Sequence, residues 1–260
     1  MMLPDTRKLA VLISVYNDQI GIDKTLKSID GLGLTTWVID DGSSNPIELP
    51  NNYKSKVVLV RLDTNVGLIH ALNRGLDLIE RDGREYVFRI DAGDEFSYDG
   101  VLSRYQKLLE ARVGILGGST LFIDEKSGSK FKVEKRSRIP SKWFPLTVNY
   151  IHSGVIFKIT DIRYNKDNVY CEDIFMFYDI EKRFGGIGVI DDPVLVYQGG
   201  SGISTDKRKV QLRSLRRNIV RRKDLPIAVA YLAIVKTYIQ EYLVKSKSLE
   251  MRLKSLVIRR

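Results

Sequence analysis

Short, nearly continuous apolar runs alternate with helix-length amphipathic segments in the first third of the chain, and no other sequence feature restricts the fold as strongly. Such runs are typical of parallel strands that are covered on both faces. They occupy residues 9–14, 37–39, 57–60 and 86–90, with helical periodicity between them at 23–29 and 68–79. The alternation predicts an α/β fold in which helices flank both sides of an open, mostly parallel sheet.

The next part of the chain continues this pattern less regularly. Strands are predicted at 114–123, 151–159 and 189–197, and helices at 101–111 and 172–184. Residues 124–145 are rich in charged residues and contain Gly and Pro, which predicts an exposed connection. A Gly-rich segment at 199–204 follows the last predicted strand and is expected to link the body to a separate tail.

The net charge of +10 is concentrated toward the end of the sequence. Residues 206–260 contain 16 Lys and Arg against 4 Asp and Glu, a net charge of +12. The first 205 residues carry 26 against 28, a net charge of −2. We therefore predict two parts, a catalytic-sized domain over 1–205 and a basic helical tail over 206–260.

Composition argues against several classes of protein. Cys171 is the only cysteine, which excludes an intrachain disulfide and a Cys-rich zinc site and favours a reducing compartment. Its thiol is predicted to be a partly buried spectator rather than a nucleophile. The sequence lacks a signal-peptide pattern and an apolar run of the roughly 20 residues that a membrane-spanning helix needs. The expected location is the cytoplasm, with peripheral attachment to the inner face of the cell membrane as an option.

Small, polar or acidic residues follow four successive predicted strands. They are Ser14, Tyr16 and Asn17 after the first strand, Asp40 and Asp41 after the second, Asn65 and Gly67 after the third, and Asp91 and Asp94 after the fourth. Each group alone has a simple alternative explanation as a turn. Because open α/β sheets bind ligands at the carboxyl ends of their strands, the four groups together predict one crevice.

The two acidic groups suit different tasks in such a crevice. A carboxylate at a strand end, such as Asp41, accepts hydrogen bonds from a nucleotide base or from ribose hydroxyls. The pair Asp91 and Asp94 can hold Mg²⁺ or Mn²⁺, which prefer oxygen ligands and keep several waters. Two acids without a cation would repel a diphosphate, so a bound diphosphate at this loop implies a metal ion.

The order of these motifs resembles the family 2 glycosyltransferases of the GT-A fold, over residues 8–205. The motifs are Ser-x-Tyr-Asn at 14–17, Asp-Asp-Gly-Ser at 40–43, Asn-x-Gly at 65–67 followed by Asn73, Arg-x-Asp-Ala-x-Asp at 89–94, His-Ser-Gly at 152–154 and Glu172-Asp173. Members of this family use nucleotide-diphosphate sugars, commonly with Mg²⁺ or Mn²⁺, and invert the anomeric configuration. The resemblance implies the same fold, donor class and metal for this chain.

The resemblance also implies roles in donor binding. Ser14, Tyr16 and Asn17 would line the nucleotide pocket. Asp41 would contact the base or ribose, with Asp40 supporting it. The ribose and diphosphate would be flanked by Asn65, Gly67 and Asn73.

On the opposite side of the sugar, the resemblance implies that Asp173 is the general base that removes the acceptor proton. Asp91 and Asp94 would belong to the metal loop, and Glu172 would lie on the acceptor side. His152 is open between an acceptor contact and a supporting hydrogen bond. One departure concerns the metal loop, where Gly93 stands in place of an aspartate that many relatives carry, so the second metal ligand is expected to be Asp94.

The expected function is inverting transfer of a sugar, with UDP-sugars as the expected donors, to a hydroxyl of a glycan acceptor in surface polysaccharide synthesis. A lipid-linked acceptor would suit the basic tail. One alternative is a catalytically degenerate nucleotide-sugar-binding or scaffold subunit of the same fold. Another is a sugar nucleotidyltransferase, although residues 14–18 lack the Gly-rich basic loop that holds a triphosphate.

The tail combines basic residues with a thin apolar stripe formed by Leu212, Leu215 and Ile219. A helix of this kind can dock on an anionic membrane surface, or its apolar side can simply cover the core. The following segment, 227–244, can pack on the body, on another copy or at the bilayer interface. No motif for nucleic-acid recognition is present, so a nucleic-acid partner is not expected.

Overall fold

The computed structural model describes residues 5–50, 53–96, 98–118, 120–124, 130–133, 143, 146, 153–187, 195–199 and 207–245. The strands in this part of the chain are β1 (Leu9–Val15), β2 (Thr35–Asp40), β3 (Val57–Arg61), β4 (Tyr86–Asp91), β5 (Glu95–Phe96), β6 (Ile115–Leu116), β7 (Thr120–Asp124), β8 (Lys130–Val133), β9 (Val155–Lys158), β10 (Gly186–Ile187) and β11 (Leu195–Gly199). The helices are α1 (Gln19–Ile29), α2 (Leu68–Arg81), α3 (Tyr98–Ala111), α4 (Glu172–Phe184), α5 (Arg208–Arg221) and α6 (Ile227–Lys245).

Seven strands form the main sheet, in the order β10-β6-β9-β4-β1-β2-β3. Strands β4, β1, β2 and β3 run parallel to one another, whereas β9 is antiparallel to both β4 and β6. The expectation of a mostly parallel sheet with flanking helices is confirmed. Its four predicted N-terminal strands lie side by side, which brings their carboxyl ends to one edge.

Alternate residues of β1 enter two separate cores, because successive side chains of a strand point to opposite faces. Leu9, Val11 and Ile13 pack with residues of α1 and α3 on one face. Ala10 and Leu12 pack with residues of α2 and α4 on the other. Both faces of the sheet are therefore covered, which explains why the strand sequences are almost continuously apolar.

A second sheet of four strands, in the order β5-β11-β7-β8, lies outside the sequence-based prediction. Strand β8 falls within 124–145, where only an exposed connection is predicted, so that expectation is wrong for residues 130–133. There the chain pairs antiparallel with β7. The sequence at 130–133, Lys-Phe-Lys-Val, alternates polar and apolar residues as a half-covered strand does.

The helix α5 packs on the body rather than projecting from it. Leu215 and Ile219 are buried in the same core cluster as residues of α4, as is Ala233 of α6. The hydroxyl of Ser214 on α5 donates to the Asp167 carbonyl at 3.2 Å and lies 3.6 Å from the thiol of Cys171. The apolar stripe of α5 therefore covers the core. None of the helices among the described residues is long and apolar enough to span a membrane.

Candidate active site

The register of the sheet brings three of the predicted groups to one edge. Ser14 lies beside Asp91 in the β1–β4 pair. Val15 lies beside Asp40 in the β1–β2 pair. The carboxyl ends of β4, β1 and β2 are therefore immediate neighbours, and the loops that follow them line a common edge.

The carboxylate of Asp40 is buried and is held entirely by the protein. One oxygen accepts from the Ser43 backbone N–H at 2.9 Å, and the other accepts from Arg61 Nη1 at 3.1 Å. Arg61 Nη2 also donates to the Ser43 carbonyl at 2.7 Å. Asp40 and Arg61 thus fix the loop after β2, which fits the supporting role implied for Asp40.

Asp41 has a comparable position with a different set of partners. Its two oxygens accept from the backbone N–H groups of Val66 and Gly67 at 2.8 and 2.9 Å. Gly67 has a φ of +90° and is the N-cap of α2, a conformation that suits glycine. The structure therefore gives Asp41 a role in fixing the start of α2, and its contact with a base or ribose stays a prediction.

The loops after β2 and β3 are closely packed at Gly42. A Cβ atom there would lie 2.4 Å from the Thr64 carbonyl carbon and 2.5 Å from the Asn65 nitrogen, and φ is +69°. Only glycine fits such a backbone approach without a shift of the loops. Asn65, which lies next to this contact, is exposed at the crevice edge.

Asn17 joins the loop after β1 to the loop after β2. Its backbone N–H donates to the Ser43 hydroxyl at 2.9 Å, and its side-chain oxygen accepts from the Ser44 N–H at 2.8 Å. The residue has a φ of +53°, a region that Asn adopts more readily than most residues. The neighbouring Tyr16 is 49% exposed, so its ring is accessible to a flat ligand.

Helix α1 contacts the turn at 91–94 through the side chain of Thr25. The Thr25 hydroxyl donates to the Asp94 carbonyl at 2.8 Å and accepts from the Gly93 N–H at 2.9 Å. Gly93 has a φ of +95°, so the residue that departs from the family pattern occupies a conformation that L side chains rarely adopt. The side chain of Asp91 is 35% exposed, whereas Asp94 is buried.

Arg89 is a buried cation at the centre of the acidic groups. It is 1% exposed, and Nη2 lies 3.3 Å from Asp91 and 3.5 Å from Glu172. The guanidinium also lies over the ring of Tyr164, 5.4 Å from its centroid. Its Nε and Nη1 have no hydrogen-bond partner among the residues that the structure describes. Arg89 thus links the turn after β4 to the start of α4.

The charge of Arg89 is maintained by its acidic surroundings. Burial alone lowers the pKa of the guanidinium, but Tyr164, Asp91, Glu172 and Asp173 together hold that pKa well above its usual value. The nearby carboxylates favour the charged form of the guanidinium, which offsets the cost of burying it. The site is therefore a compact arrangement of one cation and several anions.

Glu172 and Asp173 form the first turn of α4, as the sequence predicts. Acidic side chains are favoured there by the dipole of the helix. Glu172 is buried against Arg89, and Asp173 is half-buried. Cys171, directly before them, is buried, which raises the pKa of its thiol to about 12. The spectator role predicted for this thiol agrees with that environment, and its burial is complete rather than partial.

Asn73 is one of the residues predicted to bind the nucleotide-sugar donor. In the structure both ends of its side-chain amide are bonded to backbone groups of the protein. Its side-chain nitrogen donates to the Tyr164 carbonyl at 2.8 Å, and its side-chain oxygen accepts from the Tyr164 N–H at 2.9 Å. The amide therefore anchors the segment that leads to α4. Any contact of Asn73 with ribose or diphosphate stays a prediction. His152 lies outside the described residues.

The contacts of two residues at the site escape the sequence-based prediction. Arg89 belongs to a motif that the sequence marks, and as a charge inside an apolar strand it predicts a buried ion pair but not its partners. Thr25 gives no signal, because its contacts with residues 93 and 94 join elements that lie far apart in sequence. Ser153 belongs to a motif that the sequence marks, and its hydroxyl accepts from the Asp91 N–H at 3.3 Å.

The residues at the turn fit a divalent metal that is shared with a ligand. Within the described ranges, no three His, Cys, Asp or Glu side chains lie close enough to hold a metal ion by themselves. Asp91 and Asp94 offer two carboxylates in one turn, and Mg²⁺ commonly takes one or two carboxylates with the rest of its shell from phosphates and water. The carboxylate oxygens of Asp91 and Asp94 are thus suited to a metal ion that binds together with a diphosphate.

Comparison with solved structures supports the fold. S. aureus TarS in complex with UDP is 17% identical with a TM-score of 0.60, and the match covers 89% of this chain and 70% of that one. A mannosyltransferase from Pyrobaculum calidifontis, in complex with GDP-Man and Mn²⁺, is 16% identical with a TM-score of 0.61. That match covers 96% of this chain and 74% of the other. The search of curated protein sequences found no match.

The comparison with protein families gives the assignment. The family described as glycosyl transferase family 2 matches residues 10–174, which include β1 to β4, the acidic turn and the start of α4. The matched span thus contains every predicted site residue. The chain belongs to glycosyl transferase family 2, and it is a glycosyltransferase of the GT-A fold.

Proposed function

We propose that this glycosyltransferase moves a sugar from a nucleotide-diphosphate donor to a hydroxyl of a glycan acceptor with inversion of the anomeric carbon. The observation that carries the proposal is the position of Arg89. Its guanidinium joins the turn of Asp91, beside the edge formed by Ser14 and Asp40, to Glu172 at the start of α4. Asp91 and Glu172 therefore both lie within 3.5 Å of one guanidinium nitrogen, which supports a shared site for donor and acceptor.

UDP-sugars are the proposed donors. Support comes from the UDP and UDP-GlcNAc complexes of S. aureus TarS, while the GDP-Man complex of the Pyrobaculum mannosyltransferase makes GDP-sugars the first comparison. In this proposal Ser14, Tyr16 and Asn17 line the nucleotide pocket, and the exposed ring of Tyr16 offers a stacking surface for the base. Asp40 and Asp41 hold the loops around it in place.

Asp91 and Asp94 would hold Mn²⁺ or Mg²⁺ between the protein and the donor diphosphate. When bound, such an ion neutralises charge that develops on the departing diphosphate. The chain's own contribution is to fix the two carboxylates, and Thr25 does so through its hydrogen bonds to residues 93 and 94. The Ser153 hydroxyl, which accepts from the Asp91 N–H, holds the other side of the turn.

Asp173 is the proposed general base. A carboxylate on the face opposite the leaving diphosphate accepts the acceptor proton as the hydroxyl attacks, which is the geometry that inversion requires. Arg89 would keep the Glu172–Asp173 pair in place, since Glu172 contacts the guanidinium directly and Asp173 is among the groups that raise the pKa of Arg89. Glu172 is proposed to lie on the acceptor side, together with His152.

The proposed acceptor is a lipid-linked oligosaccharide in surface polysaccharide synthesis, used at the cytoplasmic face of a membrane. Support comes from the charge distribution, since residues 206–260 carry +12 while the first 205 carry −2. An anionic membrane surface attracts such a segment. We accordingly propose residues 1–205 as the catalytic domain and 206–260 as the part that meets the membrane.

The proposal is tested by turnover of a panel of UDP-, GDP- and dTDP-sugars with Mn²⁺, Mg²⁺ or EDTA, together with the anomeric configuration of the product. Wild type is compared with Asp173→Asn, which preserves shape but cannot accept the proton. We expect metal-dependent turnover of a UDP-sugar and a loss of about 100-fold or more in the variant. Metal-dependent binding of donors without any turnover would instead favour a degenerate nucleotide-sugar-binding or scaffold subunit.

A further inference from the structure

The helix α6 exposes a face that is entirely apolar or aromatic. Its buried side consists of Val229, Ala233 and Thr237, which pack toward α5 and the body. The opposite side is exposed to solvent along four turns, and its large residues are Ile227, Tyr231, Leu232, Tyr238, Ile239 and Tyr242, from 48% to 89% exposed. Helices at the surface of a soluble protein normally carry polar residues on that side.

The charged residues of the helix do not interrupt this face. Between 227 and 242 they are Lys236 and Glu241 alone. Glu241 lies at the boundary with α5, where it accepts from Arg213 and Arg216. Lys236 donates to the carbonyl of Leu146, on the body. Both charges are therefore directed to the edges of the helix, and the exposed face is left without one.

A basic surface adjoins the apolar face. The exposed side of α5 carries Lys209, Arg213, Arg217 and Arg221, and the exposed Lys223 lies two residues beyond the end of the helix. The two surfaces meet where the guanidinium of Arg216 lies over the ring of Tyr238, 4.1 Å from its centroid. Among the described residues, Lys209, Arg217 and Lys223 have no carboxylate at ion-pair distance. A partner for this region must therefore offer both an apolar layer and negative charge.

We infer that the exposed faces of α5 and α6 together form a docking surface for an anionic lipid bilayer. The helix α6 would lie in the plane of the interface with its apolar side among the acyl chains, and α5 would face the phosphate groups. Tyr231, Tyr238 and Tyr242 suit the boundary, because tyrosine combines an apolar ring with a polar hydroxyl. The two helices would lie on the membrane, not span it.

The charge of the surface favours a bilayer over a second copy of the chain. In a symmetric dimer through α6, the basic residues of two α5 helices would come close together, and like charges repel. An anionic bilayer instead gains from each basic residue, at roughly a fivefold increase in binding per Lys or Arg. This inference extends the membrane location in the proposed function and rests on it for its biological meaning, although the surface itself is independent of the chemistry.

The test is co-sedimentation of the full chain with vesicles of phosphatidylcholine alone or with phosphatidylglycerol added, at low and high salt. We expect binding to the anionic vesicles only, and weaker binding as salt increases. Tyr231→Glu and Ile239→Glu should each reduce binding at least tenfold, and Arg217→Gln combined with Lys209→Gln should reduce it more than tenfold. Ile20→Glu, at an 83% exposed apolar residue of α1, is the matched control and should leave vesicle binding unchanged.

Binding and nucleotide-sugar turnover are measured separately in the same preparations, so failure of the docking surface and failure of the proposed enzyme are distinguishable. Turnover without vesicle binding would overturn the inference and the proposed membrane location, and it would leave the proposed sugar transfer intact. Vesicle binding without turnover would support the docking surface and count against the proposed enzyme activity. If light scattering shows a dimer that Tyr231→Glu converts to a monomer, while vesicles are not bound, the face is an interface between copies and the inference is wrong.

Discussion

Two arginine–carboxylate clusters lie at the carboxyl edge of the sheet, one around the buried carboxylate of Asp40 and one around the buried guanidinium of Arg89. They differ in how many of their polar atoms have hydrogen-bond partners among the described residues. Both oxygens of Asp40 accept hydrogen bonds, and Arg61 donates to the carboxylate and to the Ser43 carbonyl. Arg89 reaches its carboxylates through Nη2 only, and its Nε and Nη1 have no partner in the described part of the chain. The Asp40 carboxylate is thus satisfied by described residues, whereas two nitrogens of Arg89 have no hydrogen bond among them.

We propose that the Asp40 cluster supports the loops and that the Arg89 cluster takes part in the reaction. Buried polar groups in proteins are almost always hydrogen-bonded, and an exception calls for a functional reason. The Arg89 cluster lies between Asp91, which we propose as a metal ligand, and the pair Glu172 and Asp173. We therefore expect changes at Arg89 to affect the reaction, and changes at Asp40, Asp41 or Arg61 to affect stability.

The largest effect is expected for Arg89→Lys. The ammonium group keeps the charge but cannot reach both Asp91 and Glu172, so the two acidic elements lose their fixed spacing. A shift of about 1 Å in such a site can cost about 100-fold in turnover. We expect kcat to fall by about that factor, with a smaller change in KM and little change in thermal stability.

Arg61→Lys is the comparison for Arg89→Lys, since Arg61 also contacts an aspartate, Asp40 on the neighbouring strand, but its side chain is 39% exposed. It should lower the free energy of unfolding while kcat stays within a few-fold of wild type. Equal loss of turnover in the two lysine variants would break the distinction between the clusters.

The next largest effect is expected for Asp41→Asn, as a loss of stability. The asparagine nitrogen cannot accept a hydrogen bond, so one of the Val66 and Gly67 N–H groups, both partly buried, loses its acceptor at a cost of about 1 kcal/mol. Urea unfolding measures this difference, with the exposed Asp63→Asn as control. A variant of unchanged stability that no longer binds nucleotide would show that Asp41 acts on the ligand instead.

A smaller effect is expected for Thr25→Val, which removes the hydroxyl between the Gly93 N–H and the Asp94 carbonyl. Loss of such a hydrogen bond costs about 1 kcal/mol. If the turn then no longer holds its conformation, the affinity for the nucleotide sugar with Mn²⁺ should fall about fivefold. Calorimetric titration with a UDP-sugar measures it. Thr25→Ser keeps the hydroxyl and should bind as wild type does; equal weakening in both variants would argue against the hydrogen bonds.

The last prediction concerns the thiol of Cys171, which lies next to Glu172 and Asp173 in the chain. Near neutral pH we expect its ionisation to have the smallest effect on stability of the groups considered. Burial raises the pKa of its thiol to about 12, so the folded state favours the protonated form. Its contribution to stability is complete below the unfolded pKa of about 8.5 and is lost as pH rises toward 12. Alkylation by iodoacetamide at pH 8 should be slow until the chain is unfolded in urea. Rapid labelling of the native protein would contradict a buried, unreactive thiol.

Much of the fold could be predicted from the sequence because its signals are local. The apolar runs at 9–14 and 86–90 and the periodicity at 68–79 fall within β1, β4 and α2. The helix over 172–184 is confirmed with the predicted bounds. The second sheet was missed because its pairs, such as β11 with β5 and β7, join residues far apart in the chain.

The candidate site shows the same division between local and distant information. The strand-end motifs marked which residues meet at the edge, and the register of Ser14 with Asp91 confirms that they adjoin. The sequence could not show that Asp41 and Asn73 have backbone partners at Val66, Gly67 and Tyr164. Contacts of this kind depend on how loops cross in three dimensions, which no residue pattern encodes.

Our central claim is that the edge at β4, β1 and β2 binds a nucleotide diphosphate through a metal at the acidic turn. Calorimetric titration tests this claim most directly. UDP and GDP are titrated with Mn²⁺ or EDTA into wild type, Asp91→Asn and the exposed control Glu110→Gln. We predict that UDP binds only with Mn²⁺, and that Asp91→Asn weakens it more than tenfold while Glu110→Gln does not. Binding that is independent of both the metal and Asp91, or no binding of either nucleotide, would contradict the account.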